Sequence, residues 1–121
     1  MTEISSLGLA YIGDGVFELL VRTFVCKSGK LSAKTMHKAS VELVNAQKQA
    51  NFSEMLLPVL TEAEHAVWLR GRNASPRSTP KGATDREYHL ATALECVFGW
   101  LYLNNELDRI NELFSLITAT L

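Results

Sequence analysis

Apolar residues recur along this chain at spacings of three and four, and stretches that alternate with period two are scarce. That periodicity predicts helices and an all-α fold. A first helix follows Ser5 or Ser6 and runs to about Cys26. A second follows Ser32 and runs to about Ala50, with Met36, Ala39, Leu43 and Ala46 on one side. A short helix covers Phe52 to Leu57 and is ended by Pro58. Thr61-Glu62-Ala63-Glu64 is a capping box, with a hydroxyl at the cap and a carboxylate three residues on, so a helix starts there and ends near Gly71. Residues 71–83 hold two prolines and two glycines and read as a loop, long for a helical domain. Thr84-Asp85-Arg86-Glu87 is a second capping box, and its helix runs to Asn104-Asn105. A last helix covers Glu106 to Ala119, with Ile110, Leu113, Phe114 and Ile117 inward. The expectation is an all-α domain of five to seven helices, with short connections that favour antiparallel neighbours.

Two carboxylates break this pattern. Asp14 lies at helical spacing from Leu7, Ala10, Tyr11, Phe17 and Val21, on the apolar stripe of the first helix. It is flanked by Gly13 and Gly15, which are poor helix formers. Glu95 lies at helical spacing from Tyr88, Ala91, Phe98 and Tyr102 and interrupts the stripe of the fifth helix. A buried carboxylate needs a partner: a basic side chain, a shared proton or a cation. If the two helices pack together, the acids converge. Carboxylates without nearby His or Cys suit a hard ion such as Mg²⁺ or Mn²⁺. The competing reading has Asp14 bonded to a neighbouring helix and Glu95 paired with an arginine. Glu18 is a third acid on the same helix, better read as a structural hydrogen-bond partner.

Composition narrows the class. The chain has 121 residues, 47% of them hydrophobic, which suits one packed domain and excludes a disordered tail. Its longest apolar run, Val97 to Leu103, falls far short of the roughly 20 residues a membrane helix needs. No basic leader opens the chain, so a cytoplasmic protein is expected. Cys26 and Cys96 lie in apolar stretches without a CxxC pattern and read as buried, reduced thiols. His37, His65 and His89 are scattered and sit beside no nucleophile, and no phosphate-cradling glycine motif occurs.

The net charge of −1 hides a partition. Residues 27–50 and 70–86 contain ten of the twelve basic residues and two of the thirteen acids. Arginines amid Gly, Ser and Pro suit phosphate contacts, so the local clustering points to a nucleic-acid backbone.

The run Leu9-Ala10-Tyr11-Ile12-Gly13-Asp14-Gly15-Val16-Phe17-Glu18 resembles the catalytic-helix motif of the ribonuclease III superfamily. The run from Thr92 through Glu95, Phe98 and Gly99 to Leu103 resembles its second acidic motif. Arg70-Gly71-Arg72-Asn73, followed by Thr84-Asp85 and Tyr88, is similar to the Mini-ribonuclease III branch, and the resemblance covers nearly the whole chain. It implies a ribonuclease III-type endonuclease domain over residues 1–121, homodimeric and without an appended double-stranded-RNA-binding domain. It implies Mg²⁺-dependent cleavage of double-stranded RNA, with Mn²⁺ as a substitute ion, and maturation of large-subunit (23S) ribosomal RNA precursors. On matching positions, Asp14 and Glu95 become the metal-binding catalytic acids. The two basic segments, with Lys34, Lys38, Arg70, Arg72, Asn73, Arg77 and Lys81, are then expected to hold the RNA backbone, and Phe17 or Trp100 are candidates for the dimer interface that the sequence does not separate from core. The further acids of full-length ribonuclease III, seven and four residues before its Asp and three before its Glu, are here Leu7, Ala10 and Thr92. The alternative is a non-catalytic RNA-binding scaffold on the same fold.

Overall fold

A computed structural model describes residues 3–29, 32–74 and 83–121. Among these residues six helices run in chain order: α1 Ser6–Lys27, α2 Ala33–Leu43, α3 Ala46–Leu56, α4 Glu62–Arg72, α5 Asp85–Leu103 and α6 Leu107–Thr118. A 3₁₀ turn, Leu57–Val59, follows α3, and there is no strand among the described residues. The all-α expectation holds.

Side-chain caps set most of the starts. The Ser5 hydroxyl accepts from the Gly8 N–H at 3.1 Å, and Ser32 accepts from Thr35 at 3.0 Å. Both capping boxes form in full, at Thr61/Glu64 and at Thr84/Glu87. The α5 helix stops at Asn104, and Asn105 adopts a left-handed φ of 58°. Asn tolerates that conformation better than most residues.

One boundary differs from the expectation. The stretch after Ser32 is two helices broken at Val44-Asn45, and the second continues through Phe52 to Leu56. Asn45 causes the break. Its Oδ1 accepts from the Lys48 N–H at 2.9 Å, while its Nδ2 donates to the Val41 and Glu42 carbonyls at 3.3 and 3.0 Å. A single amide thereby caps the end of one helix and the start of the next.

Helix α5 is apolar on nearly every side, as a helix in the middle of a core should be. Ala93, Cys96 and Phe98 are fully buried, and α1, α3, α4 and α6 all pack on this helix. Phe17 of α1 is fully buried too, with ring centroids 5.8 Å from Phe98, 6.0 Å from Phe114 and 6.3 Å from Phe52. Phe17 is therefore the centre of the core and no interface residue, and Trp100 is half-buried against the same core. Cys96 is buried as expected, but Cys26 is exposed, because Val21 and Val25 take the inward positions and leave it one step off the stripe.

A buried ion pair ties α4 to α6. Glu64 is 3% exposed, and the Arg109 guanidinium donates to both its oxygens, at 2.8 and 2.9 Å. Arg109 also donates to the Val59 carbonyl at 2.9 Å and pairs with Glu112. Burial would raise the Glu64 carboxyl, but hydrogen bonds from Arg109 and the Thr61 backbone hold it below the ordinary carboxylate value.

Candidate active site

The two acids meet because two glycines let α1 and α5 touch backbone to backbone. A methyl group on Gly13 would overlap the Glu95 carbonyl, and one on Gly99 would overlap the Leu9 carbonyl. Both glycines are buried. Close approach of this kind is a use of glycine that no other residue can fill. Gly15 is different: a methyl group there meets nothing within 4 Å. The two glycines flanking Asp14 therefore have separate explanations, and only Gly13 is required by packing within this chain.

The buried line of α1 runs through Leu9, Ala10, Gly13, Phe17, Val21 and Val25. Asp14 sits beside that line and is exposed, not buried in the stripe as its spacing suggested. Leu7 and Tyr11, the apolar residues that defined the expected stripe, are exposed at 46% and 83%. The true stripe is shifted toward Gly13, where the helices touch. Glu95 is half-buried on α5.

The side chains of Asp14 and Glu95 come within interaction range across this contact. Burial, followed by the Asp14 hydrogen bond and the Asp14 charge, pushes the Glu95 carboxyl up to about 9, and the Gln49 amide pulls the other way. Glu95 so placed keeps its proton near neutral pH unless a cation replaces it. Neither acid has an ion-pair partner among the described residues, so the arginine expected for Glu95 under the structural reading is not found there. Glu18 does take the structural role, accepting from the Arg22 guanidinium at 2.9 Å. Thr92 is 5% exposed and donates to the Tyr88 carbonyl at 2.8 Å, which satisfies it within its own helix. No cluster of three or more His, Cys, Asp or Glu is found among the described residues. A two-carboxylate donor set fits Mg²⁺, which keeps several waters and takes few protein ligands.

Cys96, next to Glu95, donates its thiol to the Ser6 carbonyl at 3.0 Å. Burial, then the Glu95 charge, pushes that thiol up to about 12, so it is an inert packing group. The charge of Arg70 reaches the same thiol and opposes the shift, which puts one of the expected basic residues close to the acid pair. Gly71 makes this possible, because it sits against Cys96 Sγ and Ala93 and brings α4 onto α5.

Lys34 and Lys38 are exposed on α2, and Arg70 and Arg72 are exposed at the end of α4, which Asn73 caps. Arg77 and Lys81 lie outside the described residues. Sequence reasoning missed Gln49, a buried amide of α3 beside Glu95. Its signal was available: Gln49 shares a helical face with Ala50, Phe52, Ser53 and Leu56.

The family model of the Ribonuclease III domain matches residues 7–106, a span that contains both acids and the Arg70 segment. The chain belongs to the ribonuclease III family. Named relatives assign it to the Mini-ribonuclease 3 branch. The Mini-ribonuclease 3 of Clostridium tetani is 36% identical over 118 residues, covering 97% of this chain and 78% of that protein. That of Brevibacillus brevis is 39% identical over 107 residues, covering 88% and 80%. A crystal structure of a Fusobacterium nucleatum protein superposes with a TM-score of 0.87 at 28% identity, covering 96% of this chain and 93% of that one. The ribonuclease III fold thus accounts for the central α5 and for the α1–α5 contact that joins the two motifs. No helix among the described residues is long and apolar enough to cross a membrane.

Proposed function

We propose that this ribonuclease III family member is a divalent-metal-dependent endoribonuclease that cuts double-stranded RNA, with Asp14 and Glu95 as the catalytic, metal-holding acids. The observation that carries this reading is the convergence of two carboxylates from different helices with no basic partner among the described residues. When bound, Mg²⁺, or Mn²⁺ in its place, would supply Lewis acidity at the scissile phosphate and ease deprotonation of an attacking water. Asp14, on the exposed side, and Glu95, anchored in the α1–α5 seam, hold that site against the RNA backbone. The products are 5′-phosphate and 3′-hydroxyl ends. The basic side chains of α2 and α4 position the duplex through its phosphates, with little reading of sequence. The natural substrate is a large-subunit (23S) ribosomal RNA precursor, and the protein acts in the cytoplasm.

The working form is a homodimer, with one site for each strand of the duplex. The exposed line of α1 supports this. Leu7, Tyr11 and Leu19 are 46%, 83% and 66% exposed, and Gly15 lies between them with open space above it. Apolar side chains in a row on a surface mark an interaction face.

A labelled perfect RNA duplex, incubated with Mg²⁺ or with EDTA, tests the activity. Cutting that requires the ion supports the reading. Duplex binding without cutting would favour the non-catalytic scaffold instead. The basic residues have a separate signature. Replacing Lys34 and Lys38 together by Ala should weaken binding to all duplex sequences alike. Each lysine taken off the phosphate backbone should reduce the salt slope by roughly one. An unchanged slope removes these two lysines from the RNA interface.

A further inference from the structure

The buried face of α3 carries two polar side chains, and they are satisfied differently. Ser53 is fully buried, and its hydroxyl accepts from the Trp68 Nε1–H at 2.9 Å. Gln49 is 6% exposed, and its Nε2 has no hydrogen-bond partner among the described residues. A buried donor left unmet destabilises a protein, and an apolar side chain of similar shape would avoid that cost. Its neighbours Ala50, Phe52 and Leu56 are the apolar residues expected at such positions.

What Gln49 faces explains why an amide stands there. Helix α3 packs on α5, and the Gln49 amide lies within electrostatic reach of the Glu95 carboxylate, with its Nε2 donor still unmet. We propose that Gln49 is a positioning residue whose buried amide holds the Glu95 carboxylate in the orientation that lets Glu95 share one divalent cation with Asp14. The inference rests on the metal-site reading above and adds a residue to it. The choice of side chain fits the task. Lys or Arg at this position would neutralise Glu95 and compete with the cation. Asp or Glu would add a third negative charge in a half-buried seam. An aliphatic residue would leave the carboxylate free to rotate. A neutral amide offers its unmet N–H to a carboxylate oxygen and leaves the pair's charge for the ion. Gln49 touches neither substrate nor reacting atoms in this scheme and acts only through Glu95.

The test uses the full chain without RNA. Mn²⁺ binding is followed by electron paramagnetic resonance for the wild type, Gln49→Met and Glu95→Gln, with melting curves of each in EDTA. Gln49→Met should lower Mn²⁺ affinity by roughly 10–100-fold, the usual effect of removing a group that orients a ligand. Its melting temperature in EDTA should not fall, because the unmet donor is gone. A merely structural amide predicts the reverse: a lower melting temperature and unchanged affinity. That result overturns the inference. If Gln49→Met does not fold, the wild type decides. The Gln49 side-chain amide signals should shift on saturation with Mg²⁺, and signals that stay in place overturn the proposal. Wild-type binding that is lost in Glu95→Gln but intact in Gln49→Met overturns this inference alone. Binding that does not depend on Glu95 overturns the metal-site reading and this inference with it.

Discussion

Asp14→Asn should give a protein that is more stable at neutral pH without metal and that no longer cuts duplex RNA. The side chain is exposed, so its replacement by an amide of the same shape disturbs little packing. Its effect falls on Glu95. Burial is the first cause of the raised Glu95 value, and the Asp14 hydrogen bond and charge add to it. The folded value of about 9 stands above the ordinary 4.5, so between those limits the folded chain holds a proton that the unfolded chain has released. Stability of the metal-free protein therefore falls as pH rises through that window. Removing Asp14 moves the upper limit down and leaves less stability to lose. The gain near pH 8 should be on the order of 1 kcal/mol, since burial remains. Melting in EDTA from acid to alkaline pH reads this as a flatter profile for the variant. Cutting should fall by roughly 10³-fold or more, the scale of losing a preorganised electrostatic group. A variant that melts lower than wild type at alkaline pH, or that still cuts, contradicts this assignment of Asp14. The trade of stability against activity at one residue is common where like charges are held together for function.

Gly13→Ala and Gly15→Ala should shift stability in opposite directions, although the positions lie two apart on one helix. At Gly13 the added methyl meets the Glu95 backbone, which cannot turn aside as a side chain could. The helices must separate, at a cost of roughly 3 kcal/mol or more, at the upper end of overpacking effects. The separation also pulls Asp14 from Glu95, so cutting should be lost even at temperatures where the variant is folded. At Gly15 the methyl enters open space and restricts the unfolded chain. The monomer should gain up to about 1 kcal/mol from helix propensity. Urea midpoints of the two variants beside wild type measure both effects. Equal destabilisation at the two positions would mean that α1 and α5 do not touch backbone to backbone.

Much of the fold was legible because the chain writes its boundaries in side chains that act locally. The Thr61 and Thr84 capping boxes predicted two helix starts to the residue, and Asn104-Asn105 marked the end of α5. The break at Val44-Asn45 was not read, because a helical apolar pattern continues from Met36 through Ala46 across it. There the Asn45 side chain overrides the periodicity. The convergence of Asp14 and Glu95 was anticipated from two interruptions of apolar stripes, yet the burial of Asp14 was not as expected. Leu7 and Tyr11 share the spacing of core residues but belong to an exposed apolar line, and a sequence does not distinguish a buried stripe from an interface stripe. The same ambiguity placed Phe17 among interface candidates when it is the centre of the core. The buried face of α3 that carries Gln49 is legible in the sequence, but the neighbour that gives Gln49 its role stands on another helix, forty-six positions away in the chain. Two of the expected RNA contacts, Arg77 and Lys81, fall outside the described residues, and their assignment rests on sequence.

The central claim is that one acid pair makes this protein a nuclease, and Glu95→Gln tests it most directly. Wild type and variant are compared on one labelled RNA duplex in Mg²⁺, with cleavage rate and duplex affinity measured on the same preparations. The variant should bind the duplex about as tightly as wild type and cut it roughly 10³-fold more slowly or not at all. A Glu95→Gln protein that cuts at the wild-type rate would place the chemistry elsewhere on the molecule and contradict the account.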